Sequence, residues 1–332
     1  MVLALWTGGM LLVLLGVIYT VSFLAPSLWA RQHKHYEVGA FIDTQLQRIK
    51  NIPTGAVIVI GDSTCLTNLD PATAERKANI PGLRVEALCI FASYFPDGHM
   101  EMLHKYLAAE KKPRMIVHLF HNRSLYRLSE RGGAIISSPI ARPVNNRPSF
   151  KTWEDATRPL RNIYAKLFYT PITLSRYGEY YGGMENILEF LRENRGTFIT
   201  PAPQIYRSAA GDLPVGALED TLAYDISPLY GPAGDQLNSD LESIGRDRYF
   251  AYISPNPRDI ENSKTIKNRE NFAKAYAIKN GLSREQIFWS KTYYPRSLYA
   301  DAIHMDERGR QIFSIDFGKD LRIMLQKLES EE

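Results

Sequence analysis

Cysteine is nearly absent from this chain of 332 residues, with Cys65 and Cys89 its only two. That excludes a disulfide framework of the kind that holds small secreted domains, and it excludes a zinc site built on closely paired Cys or His ligands. Whether the two pair with each other stays open at the level of sequence. Long blocks of one charge are also missing. The 40 Lys and Arg against 36 Asp and Glu are spread along the chain for a net charge of +4, so there is no basic stripe to track a nucleic-acid backbone. No internal repeat is present. What the chain does have is 45% hydrophobic residues, enough for a sizeable core in one α/β domain with insertions.

Charge is absent altogether from residues 1–30, "MVLALWTGGMLLVLLGVIYTVSFLAPSLWA". About 20 apolar residues span a bilayer as a helix, so residues 3–25 are predicted to form a transmembrane anchor. A signal peptide carries a basic n-region and a shorter apolar core, and this segment lacks the first and overruns the second. Arg31 and Lys34 follow the span, which by the positive-inside rule alone would leave the body in the cytoplasm. Residues 31–53 read as a connecting helix closed by Pro53. The "HKH" at 33–35 reads as a solvated face beside the membrane.

From residue 54 the chain alternates strand and helix. "AVIVIG" (56–61) is a β-branched run too apolar for a one-sided sheet, and "LDPATAERKAN" follows with Asp70 as N-cap and Pro71 at the first helical position. "LRVEALCIF" (83–91), "DGHMEMLHKYLAAEKK" (97–112) and "RMIVHLF" (114–120) continue as strand, helix, strand. His118 would point from its strand into the core or a helix interface. This order implies a parallel sheet with right-handed crossovers and a ligand site beyond the carboxyl ends of the strands. Residues 125–245 break the rhythm. "SSPIARPVNNRPSF" and "YGPAGDQLNSD" read as loops and "GMENILEFLREN" as a helix, so a mainly helical cap is predicted there. "RYFAYISPNP" (248–257), a helix over 262–280, "QIFWSK" and a closing amphipathic helix through Ile312, Ile315, Leu321 and Leu325 resume the domain.

Two corners of this pattern carry chemistry. A serine hydroxyl attacks a carbonyl only when a base takes its proton, a third group orients the base, and donors await the oxyanion. "GDS" places Ser63 at the carboxyl end of the first strand. "DAIHMDERG" places Asp301 and His304 three apart just before the last helix, close enough for the carboxylate to hold one ring nitrogen while the other faces the serine. His99 and His104 are five apart, off the spacing of helical zinc ligands. His121 is a candidate for lining the pocket, and Arg123 for a surface or structural ion pair.

With "GDS" after the first strand, "FHNR" after the third, and Asp301, His304 and Gly309 before the last helix, the sequence resembles the SGNH or GDSL-type hydrolases and acyltransferases. The GxSxG elbow of α/β-hydrolases is absent. The resemblance covers about residues 55–122 and 248–325. It implies a three-layer fold with a central parallel sheet, Ser63 as nucleophile, His304 as base and Asp301 as its orienting partner, with neither metal nor cofactor. It further implies an oxyanion hole made of the Ser63 amide, the Asn122 side chain and a backbone amide at Ala92 or Ser93. Phe120 and Arg123 stand where the family has Gly and Asp around its asparagine.

An anchored member with an inserted cap resembles the envelope branch of that family, which includes DltD-like proteins and the accessory proteins of alginate and cellulose acetylation. The resemblance implies a domain 54–332 on the extracytoplasmic side of the cell membrane. Its expected reaction is transfer of an acetyl or D-alanyl type acyl group to a cell-envelope polysaccharide or teichoic-acid-like polymer, beside a membrane-bound O-acyltransferase. An anchored esterase or deacetylase, and a non-catalytic scaffold that binds the acyltransferase, are the alternatives.

Overall fold

The computed structural model describes residues 37–90, 97–121, 181–182, 184–200, 232–258, 263–289, 293–301 and 303–331, with Val13, Gly16 and Tyr230 as isolated positions. Apart from Val13 and Gly16, both helical, the predicted anchor lies outside the described residues. Among those described, no helix is long and apolar enough to cross a membrane, so the structure lends the span no support. The connecting helix forms as α1, Glu37–Ile49.

Five strands make one parallel sheet: β1 Val57–Gly61, β2 Val85–Ala87, β3 Met115–Phe120, β4 Tyr249–Ile253 and β5 Ile287–Trp289, in the order β2-β1-β3-β4-β5. The chain steps from β1 outward to β2 and then back across β1 to β3. That reversal opens a crevice between the carboxyl ends of β1 and β3, where such sheets bind ligands.

β1, β3 and β4 are buried throughout, as expected of strands covered on both faces. Successive side chains point to opposite faces. Ile58, Ile60, Ile116 and Phe120 pack with α4 (Asp97–Ala108), α6 (Pro232–Ile244) and α7 (Ser263–Asn280) through Leu103, Tyr106, Leu237, Phe272 and Tyr276. Val57, Val59, Val117 and Leu119 pack with α3 (Pro71–Ala78) and α8 (Glu307–Glu331) through Ala74, Phe313, Phe317 and Leu321. Each of these large side chains contributes about 2 kcal/mol of burial. The result is a helix–sheet–helix arrangement.

Several local expectations hold to the residue. Asp70 caps α3, accepting from the Ala72 and Thr73 amides at 3.1 and 3.3 Å, with Pro71 at N1, a cap worth about 1 kcal/mol. Others shift. The buried stripe of α8 runs through Phe313, Phe317, Leu321 and Leu325, leaving Ile312 and Ile315 half-buried. The last turn before the helix, not the apolar count, sets its rotation: Asp306 takes the Gly309 amide at 2.7 Å, and Arg310 reaches back to the Leu69 carbonyl at 3.0 Å.

Of the predicted cap, 183–194 supplies α5, Met184–Glu193. The segment after it lies along the open side of β2, where the Ala87 amide donates to the Arg195 carbonyl at 3.0 Å. "YGPAGDQLNSD" is a correction: it is not a loop, because Pro232 opens α6 and Leu237 and Leu241 are fully buried against the sheet-side helices. The remainder of 125–245, with "SSPIARPVNNRPSF", lies outside the described residues.

His118 is buried on β3. Its Nε2 meets His99 Nδ1 at 3.0 Å and its Nδ1 meets the Tyr249 hydroxyl at 2.8 Å, and Tyr249 in turn meets Tyr276 at 2.9 Å. Burial, reinforced by His99, pushes the His118 imidazole well below its usual range, so His118 is held neutral. It serves the interface between the sheet and α4 and α7.

Candidate active site

The serine corner is built from the strand end outward. A Cβ on Gly61 would overlap the Leu119 carbonyl oxygen, so β1 approaches β3 at this point only with glycine. Asp62 then leaves the sheet in an extended conformation and caps α2, Ser63–Asn68. Its Oδ1 accepts from the Thr64 amide at 2.8 Å and the Thr64 hydroxyl at 2.6 Å, and its Oδ2 accepts from the His121 amide at 2.8 Å. One buried carboxylate therefore fixes both the start of the serine helix and the end of β3 beside it. Ser63 is the first residue of that helix, half-buried at its mouth.

The histidine corner is a tight loop, not the helical turn that a spacing of three suggests. Tyr299 pairs with Met305 in an antiparallel bridge, and the Ala300 amide donates to the His304 carbonyl at 2.8 Å. Inside the loop, Asp301 Oδ1 accepts from the Ile303 and His304 amides at 2.9 and 2.8 Å. Its other oxygen, Oδ2, accepts a hydrogen bond from His304 Nδ1 at 2.7 Å. Gly309 is required just beyond, because a Cβ there would overlap the Leu298 carbonyl oxygen at the base of the loop.

The tertiary structure brings the two corners together. His304 Nε2 lies 2.9 Å from Ser63 Oγ across 241 positions of sequence. Since Nδ1 donates to Asp301, Nε2 is the acceptor, the arrangement in which imidazole takes the serine proton. Partial burial by itself would raise the Asp301 carboxyl. The positive charge His304 acquires, its hydrogen bond and the Ile303 and His304 amides outweigh that and hold the carboxyl at about 2. Asp301 is thus a fixed negative charge wherever the protein is folded, ready to stabilise an imidazolium.

Of the predicted oxyanion donors, only Ser63 is among the described residues; Asn122 and Ala92 lie outside them, as do Ser93 and Arg123. The Ser63 amide is in the first turn of α2, where no intrahelical acceptor exists. The neighbouring Thr64 amide is engaged by Asp62. His121, the candidate for lining the pocket, is buried, with Nε2 bonded to Asn256 Oδ1 at 2.8 Å. Among the described residues, no three His, Cys, Asp or Glu side chains converge as metal ligands. A polar cleft of about 470 Å³ at the β2 side, lined by Arg48, Arg84, Glu86 and Arg195, contains none of the three site residues.

No family model, curated protein or solved structure matches the chain. The assignment of the site accordingly rests on its own geometry.

Sequence reasoning missed Asn68, the last residue of the serine helix. It is fully buried, its Nδ2 donates to the Ile303 carbonyl at 3.2 Å, and its Oδ1 accepts from the Met305 amide at 2.8 Å. The one side chain grips the backbone on both sides of His304 and ties the Ser63 helix to the Asp301–His304 loop. It is a positioning residue. Asn68→Ala is expected to lower kcat by about 10- to 100-fold with KM little changed, because a misplacement of the base by a fraction of an ångström is costly. The downfield imidazole proton signal of His304 should broaden in the same variant. If the variant loses only the roughly 1–3 kcal/mol of stability due to two orphaned buried groups, with kcat and that signal intact, the positioning role is wrong.

Sequence also left the cysteines open. Cys65 of α2 and Cys89, just past β2, are joined as a disulfide with their Cα atoms 5.9 Å apart, and among the described residues no free cysteine remains. The bond anchors the middle of the serine helix to the strand layer.

Proposed function

We propose that the protein is a serine acyl-transfer enzyme of SGNH type, in which Ser63 attacks an acyl ester and carries the acyl group to an acceptor hydroxyl. One observation carries the reading: the unbroken Asp301–His304–Ser63 hydrogen-bond chain, with distances of 2.7 and 2.9 Å, at the carboxyl rim of a parallel sheet. In the first half-reaction Ser63 Oγ bonds to the ester carbonyl carbon as its proton passes to His304 Nε2. The tetrahedral intermediate then collapses, the ester C–O bond breaks, and the leaving alkoxide takes the proton from His304. In the second half-reaction an acceptor hydroxyl gives its proton to His304 and attacks the acyl-serine; the bond from Ser63 Oγ to the acyl carbon then breaks, and His304 returns the proton to Ser63 Oγ. The Ser63 amide, joined by Asn122 and the amide at Ala92, would stabilise both oxyanions.

The setting of the reaction is part of the proposal. The uncharged residues 1–30 support a membrane anchor, and the Cys65–Cys89 bond fits an oxidising compartment outside the cytoplasm. Both features favour a cell-envelope polymer as acceptor and a membrane-bound O-acyltransferase as the source of the acyl group, since tethering raises the local concentration of a membrane partner. Esterase chemistry uses the same three residues with water as acceptor. Incubation with p-nitrophenyl acetate, with and without an envelope polysaccharide, separates the two. Acetyl found on the polymer is the expected result, while free acetate alone at every acceptor concentration would leave the esterase reading.

A further inference from the structure

Three arginines are buried among the described residues, Arg48, Arg269 and Arg310. Two have an acidic neighbour. Arg48 pairs with Glu86 at 2.6 Å, and Arg310 lies in the field of Asp70 while bonding the Leu69 carbonyl and Thr197. Arg269, on α7 and only 2% exposed, differs. Its Nη2 donates to the Ile253 and Ser254 carbonyls at 3.4 and 3.1 Å, and its guanidinium lies 5.7 Å from the Tyr293 ring centre. Among the described residues, its Nε and Nη1 have no acceptor and no carboxylate pairs with it. A guanidinium does not shed its proton inside a protein, so a buried one without a counter-charge is costly.

The surroundings repeat the pattern. The buried hydroxyls of Ser254, Tyr293 and Tyr299 also lack partners among the described residues. Burial pushes the Tyr299 phenol well above its usual range, and the nearby Arg269 charge works against that shift, which places Tyr299 within the field of the guanidinium. A hydroxyl can donate a hydrogen bond as well as accept one. Arg269 Nε and Nη1 and three hydroxyls, none with a partner among the described residues, are donors of the kind that complement an oxyanion.

The location ties this cluster to the site. Gly61 is in register with Leu119, and Phe120 with Ile253, so Ser63 and Ser254 leave the sheet at the same level on strands two apart, roughly 10 Å at the usual strand spacing. Tyr299 stands in the loop that carries Asp301 and His304. We infer that Arg269, with Ser254, Tyr293 and Tyr299, binds a carboxylate or phosphate carried by the acyl ester roughly 10 Å from the carbonyl that Ser63 attacks. The inference rests on the acyl-transfer reading and narrows it to anionic substrates.

The test uses the full chain and a series of p-nitrophenyl monoesters of dicarboxylic acids of increasing length, each against its methyl-capped neutral counterpart. The wild type is expected to favour the charged ester by about 10- to 100-fold in kcat/KM at the chain length that bridges the two sites, the worth of a desolvated charge-assisted contact. In Arg269→Gln the ratio should collapse toward one, and Arg269→Lys should keep part of it. A wild type indifferent to charge at every length, or an Arg269→Gln variant that keeps the preference, overturns the inference. An enzyme that turns over neither series tells against the acyl-transfer reading instead. Binding then decides the anion site on its own. Adipate or inorganic phosphate should raise the melting temperature of the wild type while dimethyl adipate does not, and no shift with either anion refutes the site. Which anion protects tells carboxylate from phosphate.

Discussion

Ser63→Ala is expected to lower turnover of an activated acetyl ester by about 10⁵- to 10⁶-fold, the size of effect that follows loss of the nucleophile from a three-residue relay. The fold should survive. The hydroxyl's described contact is with His304 Nε2, whereas the structural bonds around it use the Ser63 carbonyl, which accepts from Thr67, and the Asp62 side chain. Alanine is at home in the first turn of a helix, so stability should change by less than about 0.5 kcal/mol. Intact-protein mass after mixing with p-nitrophenyl acetate should show one acetyl adduct on the wild type and none on the variant. Adding His304→Ala to Ser63→Ala should cost little more, because the residues of such a relay act as a unit. A Ser63→Ala protein with undiminished biological activity would remove both the transferase and the esterase readings and leave a scaffold that keeps the fold.

The second large effect is expected from Asp301→Asn, a loss of about 10⁴-fold in kcat. The substitution is nearly isosteric, and the amide carbonyl can still take the Ile303 and His304 amides, which donate to Oδ1 at 2.9 and 2.8 Å. What changes is the atom facing His304 Nδ1 at 2.7 Å. An NH₂ group there turns Nδ1 into an acceptor and places the ring proton on Nε2, pointing at the serine hydroxyl it is meant to deprotonate. The sign of the pH dependence follows from the Asp301 carboxyl, lowered to about 2 from 3.8. A carboxylate depressed in the folded state contributes stability at pH values above its unfolded value, and that contribution is lost only as pH falls through the folded value. Asp301 is therefore ionised across any working range, and the deficit of the asparagine variant should be as large at pH 5 as at pH 8. Activity within tenfold of wild type at either pH would mean that His304 is oriented by its loop alone.

How much of this was legible in the sequence depended on range. The strand "VIVIG" and the Asp70–Pro71 helix start were readable because a β-branched run and a cap act within a few residues. Ser63, Asp301 and His304 could be named because they flank elements whose type was legible, though the bridged loop that seats Asp301 and His304 was not. The helix at Pro232–Ile244 was misread because its Pro, Gly, Asn and Asp are turn formers, and only the burial of Leu237 and Leu241 overrides them. On the last helix Ile312 packs half-buried against the core and Ile315 stands at the edge of the buried stripe for a related reason: several apolar stripes are available on a helix of 25 residues, and tertiary anchors at Asp306 and Arg310 choose among them.

By itself, then, the sequence determined the parallel α/β alternation and the three residues able to run serine chemistry, since these follow from periodicity and from the chemical requirements of a nucleophile, a base and an orienting acid. Only the tertiary structure decided that Ser63 and His304 meet, that Asn68 holds them in register, that Cys65 bonds Cys89, and that Arg269 is buried without a counter-charge among the described residues. Each of those is a contact between segments far apart in the chain, set by the order in which the strands assemble, and no local pattern of residues encodes it.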